Sequence, residues 1–268
     1  MIREAVIDVL RPYHFRGKLR LLAGVAPSRG ERDAEVFGYR VRLDLGEAIQ
    51  RWIYLGAFEP QETALVRGWL KPGMTFVDVG ANVGYFSLLA ASLVGERGRV
   101  FALEPSPYAY ARVEATLRAN RMPQVRAFQM GLSAEPGELT LYLPPEAAHF
   151  HSPTMSASSG GDPVAVPVRR LDDALDEWGV DTVDLVKVDV EGHEPFVFEG
   201  ASRVLRSGRI RAILVEFNDF WLRQQGGTPE ALYRTLLDAG FVDTGGEAEF
   251  APECVVTRFL VHRAAGAA

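Results

Sequence analysis

From residue 75 onward, short apolar runs rich in β-branched residues alternate with segments of helical periodicity. The runs are too short for helices and are typical of the buried strands of a parallel sheet. They predict strands at 75–79, 99–103, 125–130, 183–188, 210–216 and 260–262. The segments between them predict helices at 60–70, 85–93, 108–120, 194–205 and 229–239. The alternation therefore predicts an α/β fold with a mainly parallel sheet and helices on both faces.

Two segments lie outside this alternation. After the third strand, 138–143 and 164–168 predict an extra hairpin, and the connection between them, about 144–163, is rich in Pro, Ser and Gly. A connection of this length is a lid, a binding loop or a disordered insert. Residues 1–58 include a short helical segment and an alternating strand at 36–45, and they predict an N-terminal cap ahead of a main domain at 59–268.

The composition narrows the class of protein. Cys254 is the single cysteine among 268 residues, which excludes a disulfide framework and a multi-cysteine metal site. A formal net charge of −6 disfavours a nucleic-acid binder. The sequence has no apolar stretch of about 20 residues and no signal-peptide pattern at its start. We therefore expect a soluble, cytoplasmic enzyme that has neither a membrane nor a nucleic acid as a partner.

The segment 76–86 has the order strand, turn, helix, with glycine at positions 80 and 84. Gly80 lets the chain turn tightly and lets a ligand approach the backbone. Asn82 tolerates a left-handed backbone conformation, and Gly84 allows the helix to pack close to the strand. The amides at the start of the helix offer hydrogen-bond donors to a carboxylate or a phosphate. The turn is therefore a predicted nucleotide-binding loop.

An acidic residue follows at the end of the next strand. Glu104 lies 26 residues beyond Asp78, and a carboxylate at about this spacing commonly accepts the ribose hydroxyls of an adenosine. The loop has Gly-x-x-x-Gly instead of the Gly-x-Gly-x-x-Gly that admits a pyrophosphate. Asp78 would repel a pyrophosphate but suits a cationic ligand. These features favour S-adenosylmethionine, with its ammonium and sulfonium groups, over NAD.

The chain resembles the FkbM family of S-adenosylmethionine-dependent methyltransferases from about residue 49 to about residue 218. The resemblance rests on 50–60, 78–84, 103–106, 131–133, 171–173, 186–194 and 215–218. Its most diagnostic stretch, 187–194, reads Lys-Val-Asp-Val-Glu-Gly-His-Glu. The resemblance implies a class I (Rossmann-like) methyltransferase fold with a seven-stranded sheet. It also implies O-methylation of a small-molecule hydroxyl, because better-known members of the family act on polyketides and sugars.

By position, the resemblance also implies which residues contact the cofactor. The methionine part would be held by Asp78, Gly80, Asn82 and Gly84, the ribose by Glu104 with Pro105 beside it, and the adenine by Leu132 and Ser133, while Tyr54 and Glu59 would close over the cofactor.

The segment after the fourth strand carries the predicted catalytic residues. Strand ends in such a sheet face the ligand crevice, so Asp189 and Glu191 should lie beside the cofactor, with His193 just beyond. A hydroxyl acceptor loses a proton as it attacks the methyl group, and a histidine of near-neutral pKa or a carboxylate can accept it. We predict His193 as this base, with Asp189 as the alternative or as the group that orients it. Lys187 would pair with Asp189 or polarise the acceptor, whereas Glu191 and Glu194 could instead cap the following helix.

Four other interpretations remain open at this stage. Asp189, Glu216 and Asn218 lie at adjacent strand ends and are weak candidates for binding Mg²⁺, although the resemblance does not require a metal. The same scaffold could methylate the nitrogen of an amine or a peptide instead of a hydroxyl. An NAD-dependent oxidoreductase and a protein that senses the cofactor without turnover are the alternatives from other functional classes.

Overall fold

The computed structural model describes residues 22, 27–143 and 162–267, so the N-terminal helical segment and most of the predicted insert loop lie outside it. The strands are β1 (Glu31–Val36), β2 (Tyr39–Asp44), β3 (Thr75–Val79), β4 (Arg99–Leu103), β5 (Val125–Phe128), β6 (Gly131–Leu132), β7 (Gly137–Leu143), β8 (Asp162–Arg169), β9 (Leu185–Val188), β10 (Ala212–Asn218), β11 (Phe241–Asp243) and β12 (Val255–His262). The helices are α1 (Ala48–Tyr54), α2 (Pro60–Trp69), α3 (Tyr85–Val94), α4 (Pro107–Ala119), α5 (Leu171–Glu177), α6 (Glu194–Glu199), α7 (Ser202–Arg206), α8 (Asp219–Gln224) and α9 (Pro229–Asp238), with a 3₁₀ helix at Arg263–Ala267. Within these ranges, no helix has the length and apolar character that crossing a membrane requires.

Seven of the described strands form one sheet in the order β11-β12-β10-β9-β3-β4-β5. The strands from β5 to β10 in this order run parallel, and β12 pairs antiparallel with both β10 and β11. The predicted α/β fold with a mainly parallel sheet is confirmed. The seven strands also agree with the class I methyltransferase fold that the resemblance implied.

A hydrophobic core covers each face of this sheet. Because side chains alternate along a strand, Val77 and Val79 of β3 enter one core and Phe76 enters the other. Helices α5 to α9 contribute to the first core, whereas α1, α2 and α3 contribute to the second together with the β1–β2 hairpin. Burial on both faces explains why the central strands have continuous apolar sequences.

Four predicted elements differ from those observed, and one of them, the last strand, begins at Val255 instead of Leu260. The segment 36–45 is not one strand, because Phe37 and Gly38 have positive φ and turn the chain between β1 and β2. The helix predicted at 194–205 is two helices, α6 and α7; between them a Cβ on Gly200 would lie 2.1 Å from the carbonyl oxygen of Ser133. The third predicted strand ends at Phe128 instead of Met130. Strand β11 was not predicted, since three residues give no recognisable periodicity.

The predicted extra hairpin is confirmed as β7 and β8, which pair antiparallel over their whole length. Together with β6 they form a separate three-stranded sheet in the order β6-β8-β7. Leu139 lies opposite Val166 in this pairing, so the apolar side chains of the two strands share one face. The hairpin is thus an addition beside the seven-stranded sheet, linked to it through the segment that follows β5.

The first testable prediction concerns the contact between the ends of β3 and β9. Gly80 has φ +80°, and a Cβ there would lie 1.9 Å from the carbonyl oxygen of Asp189. The clash is with the backbone directly after the central strand β9, so we expect Gly80→Ala to lower the free energy of unfolding by more than about 3 kcal/mol. Gly38→Ala is the matched control, since Gly38 has φ +87° but no atom within 4 Å of such a Cβ. Backbone strain alone should lower the free energy of unfolding of Gly38→Ala by about 1 kcal/mol, as measured by urea unfolding. Equal losses of stability in the two variants would contradict the prediction.

Candidate active site

A cavity of about 330 Å³ lies at the carboxyl ends of β3, β4, β9 and β10. The crevice at these strand ends is where ligands bind in open α/β sheets. The predicted site residues that line the cavity are Glu59, Asp78, Gly80, Asn82, Glu104, Pro105, Leu132, Lys187, Asp189, Glu191, His193 and Glu216. The cavity is therefore the candidate active site.

The loop after β3 has the left-handed conformations that its sequence predicted. Asn82 has φ +50°, and Gly80 and Gly84 also have positive φ. The positive φ of Gly80 agrees with the predicted tight turn, whereas the packing partner of Gly84 differs from the expected one. The carbonyl of Asp189 occupies the space where a Gly80 side chain would be, and a Gly84 Cβ would lie 3.3 Å from Val113 on α4 instead of against the strand. The two glycines thus fit the loop to β9 and to α4.

Backbone hydrogen bonds hold the Glu104 carboxylate in place. The amide of Asn82 donates to Oε2 at 2.7 Å, and the amide of Ser106 donates to Oε1 at 2.8 Å. A carboxylate oxygen can accept two hydrogen bonds, so each Glu104 oxygen can also accept one from a ligand hydroxyl. Burial raises the pKa of Glu104 to about 7, although the two amides oppose this shift. A pair of hydroxyl donors would stabilise the ionised form further.

Asp78 is a buried carboxylate with one oxygen left for a ligand. The Ser87 hydroxyl donates to Oδ2 at 2.6 Å, whereas Oδ1 has no hydrogen-bond partner in the part of the chain that the structure describes. Burial raises the pKa of Asp78, and the positive charge of Lys187 opposes that shift. A buried acceptor without a donor is costly. The Asp78 carboxylate therefore favours a ligand that brings a positive charge or a hydrogen-bond donor.

Lys187 projects from the central strand β9 into the charged part of the cavity. Its Nζ lies 2.8 Å from Asp189 Oδ2 and 4.9 Å from the centre of the Phe86 ring. Burial by itself disfavours the ammonium, but the carboxylates of Asp189, Glu59 and Asp78 outweigh this effect and raise the pKa of Lys187. The predicted pairing of Lys187 with Asp189 is confirmed.

Two further carboxyl groups lie near this ion pair. Burial raises the pKa of Glu59 to about 7, although the charge of Lys187 opposes the shift. Burial also raises the pKa of Glu216, and the neighbouring carboxylates of Asp189 and Glu191 add to the effect. Part of this acidic cluster is therefore protonated at neutral pH.

His193 has surroundings that differ from those expected of a general base. Its Nε2 lies 3.1 Å from the Ser133 hydroxyl, its ring stacks on Phe196, and Nδ1 has no partner within the described residues. Burial lowers the pKa of His193 to about 4. The near-neutral pKa assumed from the sequence is therefore wrong, because His193 is 7% exposed and burial disfavours the charged form of its ring. Its role as the base remains a prediction.

The two glutamates of the diagnostic segment have separate positions. Glu194 Oε1 accepts hydrogen bonds from the amides of Val190 and Gly192, which precede α6. This side chain therefore closes the loop before the helix, which differs from the predicted cap on the first amides of the helix itself. Burial raises the pKa of Glu194 to about 7. Glu191 instead lines the cavity, with a left-handed backbone at φ +52°.

Four predicted site residues do not line the cavity: Tyr54, Gly84, Ser133 and Asn218. Tyr54 is buried in the second core instead of covering the cavity. The Ser133 hydroxyl contacts His193, which lines the cavity. The Asn218 side chain accepts a hydrogen bond from the Trp221 amide at the start of α8. Among the candidate metal ligands, the Asn218 side chain therefore bonds to a helix start and the Asp189 side chain pairs with Lys187. Within residues 22, 27–143 and 162–267, no set of three His, Cys, Asp or Glu residues is arranged to hold a metal ion.

Sequence reasoning missed two groups of residues that line the cavity. One group lies on or after α1 and beside the loop: Ile49, Trp52, Ile53, Phe58, Tyr85 and Phe86. The other lies on the hairpin: Leu139, Leu141, Val166 and Val168. Their sequence signals are ordinary apolar positions of a helix or strand, which do not distinguish the wall of a site from a core.

Comparison with known proteins identifies a family model and several relatives. Residues 78–242 match the family model described as the methyltransferase FkbM domain. The chain is 31% identical to the methyltransferase sdnD of Sordaria araneosa, over 66% of this chain and 77% of that protein. It is 29% identical to the 31-O-demethyl-FK506 methyltransferase FkbM of Streptomyces tacrolimicus, over 56% of this chain and 67% of that protein. It is also 29% identical to the AMB antimetabolite synthetase AmbE of Pseudomonas aeruginosa, where the match covers 76% of this chain but spans 11% of the synthetase.

The second testable prediction concerns the protonation of His193. With a pKa of about 4 in the folded protein, its ring should keep the NMR chemical shifts of neutral imidazole from pH 8 down to pH 5.5. An unfolded histidine titrates near pH 6.5, so protonation favours the unfolded chain. The stability contributed by the neutral ring is complete above pH 6.5 and is lost as the pH falls toward 4. A His193→Gln variant identifies the resonance, and a midpoint near 6.5 would contradict the prediction.

Proposed function

The chain belongs to the FkbM family of S-adenosylmethionine-dependent methyltransferases, and we propose that it methylates a hydroxyl oxygen on a small, uncharged molecule such as a sugar or a polyketide. The observation that carries this proposal is the Asp189 carboxylate, which lies at a strand end in the cavity, partly exposed and ion-paired with Lys187. In this proposal, the Asp189 carboxylate takes up the proton of the hydroxyl that receives the methyl group.

The cofactor fits the cavity residue by residue in this proposal. Glu104 accepts the two ribose hydroxyls, because both of its oxygens are already oriented by backbone amides. Asp78 and Glu59 face the ammonium and sulfonium charges, and the unpaired Oδ1 of Asp78 gains a partner. Pro105 and Leu132 lie toward the adenine. The binding of a cation offsets the cost of burying these carboxylates together.

The proposed reaction assigns the proton to Asp189. When bound, S-adenosylmethionine would supply the methyl group to the acceptor oxygen, and its positively charged sulfur would keep the electron pair of the broken carbon–sulfur bond. Asp189 accepts the hydroxyl proton, and Lys187 orients the carboxylate through Oδ2. His193 supports the loop through Ser133. This order reverses the sequence-based prediction, in which His193 was the first choice and Asp189 the alternative.

The charges of the cavity favour an uncharged acceptor. Lys187 is the single lysine or arginine among the described lining residues, and the acidic side chains there are Glu59, Asp78, Glu104, Asp189, Glu191 and Glu216. A phosphate or carboxylate on the acceptor would meet this negative field with little screening. The same negative field disfavours the binding of nucleic acid in the cavity and of the NAD pyrophosphate beside Asp78.

The name of the FK506 methyltransferase relative specifies an oxygen as its methylation site, which supports O-methylation over N-methylation.

The third testable prediction concerns the ribose contact. We expect Glu104→Ala to raise the dissociation constant of S-adenosylhomocysteine by about tenfold to a hundredfold, since two hydrogen bonds to a charged group are lost. Isothermal titration calorimetry measures this change, with the exposed Glu138→Ala variant as the control. Unchanged affinity in Glu104→Ala would remove its role. Binding of NADH and not of S-adenosylhomocysteine by the unaltered protein would refute the proposed cofactor.

The fourth testable prediction concerns the proton acceptor. Asp189→Asn should lower the rate of methyl transfer at least about a hundredfold and change the affinity for S-adenosylhomocysteine much less. The rate is measured by mass spectrometry with isotope-labelled S-adenosylmethionine and a panel of sugars and macrolides. The control is Asp181→Asn, at an exposed position before β9, and thermal unfolding checks each variant. A larger rate loss in His193→Gln than in Asp189→Asn would restore histidine as the base.

A further inference from the structure

We propose that the β7–β8 hairpin forms the adenine-binding wall of the cofactor site, and that a planar purine completes the packing of its apolar face. This inference rests on the proposed use of S-adenosylmethionine. It assigns a ligand subsite to an element that lies outside the seven-stranded sheet.

The hairpin presents a continuous apolar face to the cavity. Leu139 and Leu141 of β7 and Val166 and Val168 of β8 all line the cavity. Leu139 is directly opposite Val166 in the register, so the four side chains form one patch. The alternate residue Thr140 is exposed on the other face. The hairpin therefore turns a flat apolar surface toward the cavity.

The patch is buried but belongs to neither hydrophobic core of the described chain. Val166 is 2% exposed, and Leu141 and Val168 are also buried. Neither of the two clusters of packed apolar side chains in residues 22, 27–143 and 162–267 includes any of the four. Apolar side chains that line a cavity lack some of the contacts that a close-packed core provides. A flat apolar ligand would supply those contacts.

The patch is continuous with the predicted ribose contact. A Cβ on Gly131 would lie 3.3 Å from Val168 Cγ1 and 3.8 Å from Pro105 Cβ, so Val168 and Pro105 flank the same glycine. Pro105 follows Glu104 directly, and both line the cavity. A base attached to a ribose that is held by Glu104 therefore extends toward the hairpin.

The second apolar wall of the cavity, which includes Phe58 and Phe86, lies near charged side chains. Phe58 packs at 6.5 Å, centre to centre, on Phe86, and the Phe86 ring lies beneath the Lys187 ammonium. This wall, which α1 also helps to form, is therefore adjacent to the charged end of the cavity. The cationic part of the cofactor and the acceptor suit that end, whereas the uncharged purine suits the hairpin.

The experiment uses S-adenosylhomocysteine and 5′-methylthioadenosine, which keeps the adenosine but lacks the amino acid. We expect the double variant Leu139→Ala, Leu141→Ala to weaken the binding of both probes about tenfold and by the same factor, because the lost contacts concern only the base. Leu139→Trp should fill the subsite and abolish the binding of 5′-methylthioadenosine. Thr140→Ala is the matched control on the same strand and should change both affinities less than twofold.

Hydrogen exchange gives a second measurement that needs no variant. If the purine completes the hairpin, 5′-methylthioadenosine alone should slow the exchange of amides in 137–143 and 162–169 in the full chain. Unchanged exchange there would contradict the proposal. Unchanged affinities in the hairpin variants, or a loss of affinity in Ile49→Ala instead, would also overturn it. Unaltered protein that binds neither probe would refute the proposed cofactor, and this subsite with it.

Discussion

The charged end of the cavity depends on the attraction between the buried ammonium of Lys187 and the carboxylates around it. Carboxylates removed from water are costly unless a nearby opposite charge compensates them. Lys187 is buried on β9, where its ammonium pairs with Asp189 at 2.8 Å and lies over the Phe86 ring. Its charge also opposes the upward shift in the pKa of Glu59 and Asp78. Without it, burial would raise the pKa of these two carboxyl groups further, and less negative charge would be available to receive a cationic ligand.

The parallel strands then determine where these charges lie relative to the nucleotide loop. The Asp189 amide donates to the Val79 carbonyl at 3.1 Å, and the Asp189 carbonyl fills the space beside Gly80. The loop that receives the cofactor and the carboxylate proposed to accept the proton are therefore joined through the backbones of adjacent strands. Such rigid positioning is what methyl transfer requires, because the acceptor oxygen must lie in line with the carbon–sulfur bond.

The cavity is also divided by chemistry in a way that suits a cofactor with one charged and one apolar end. Charged groups surround Lys187, whereas the hairpin contributes aliphatic side chains near Pro105. The ribose contact at Glu104 lies between these two regions in the proposed arrangement. In this arrangement, an element added outside the central sheet contributes one wall of a cavity whose charged groups come mainly from the strand ends.

The sequence by itself determined the features that depend on near neighbours. The alternation of strands and helices, the left-handed turn at Asn82, the acid at Glu104 and the closeness of Lys187 to Asp189 all follow from residue order and spacing along single segments. Only the tertiary structure decided which distant residues meet. His193 lies against Ser133, 60 residues away, and burial there lowers the pKa of the ring to about 4, which no local pattern could indicate. The hairpin and α1 walls were missed for the same physical reason: an apolar stripe specifies that a face is buried, while long-range packing decides whether it faces a core or a ligand.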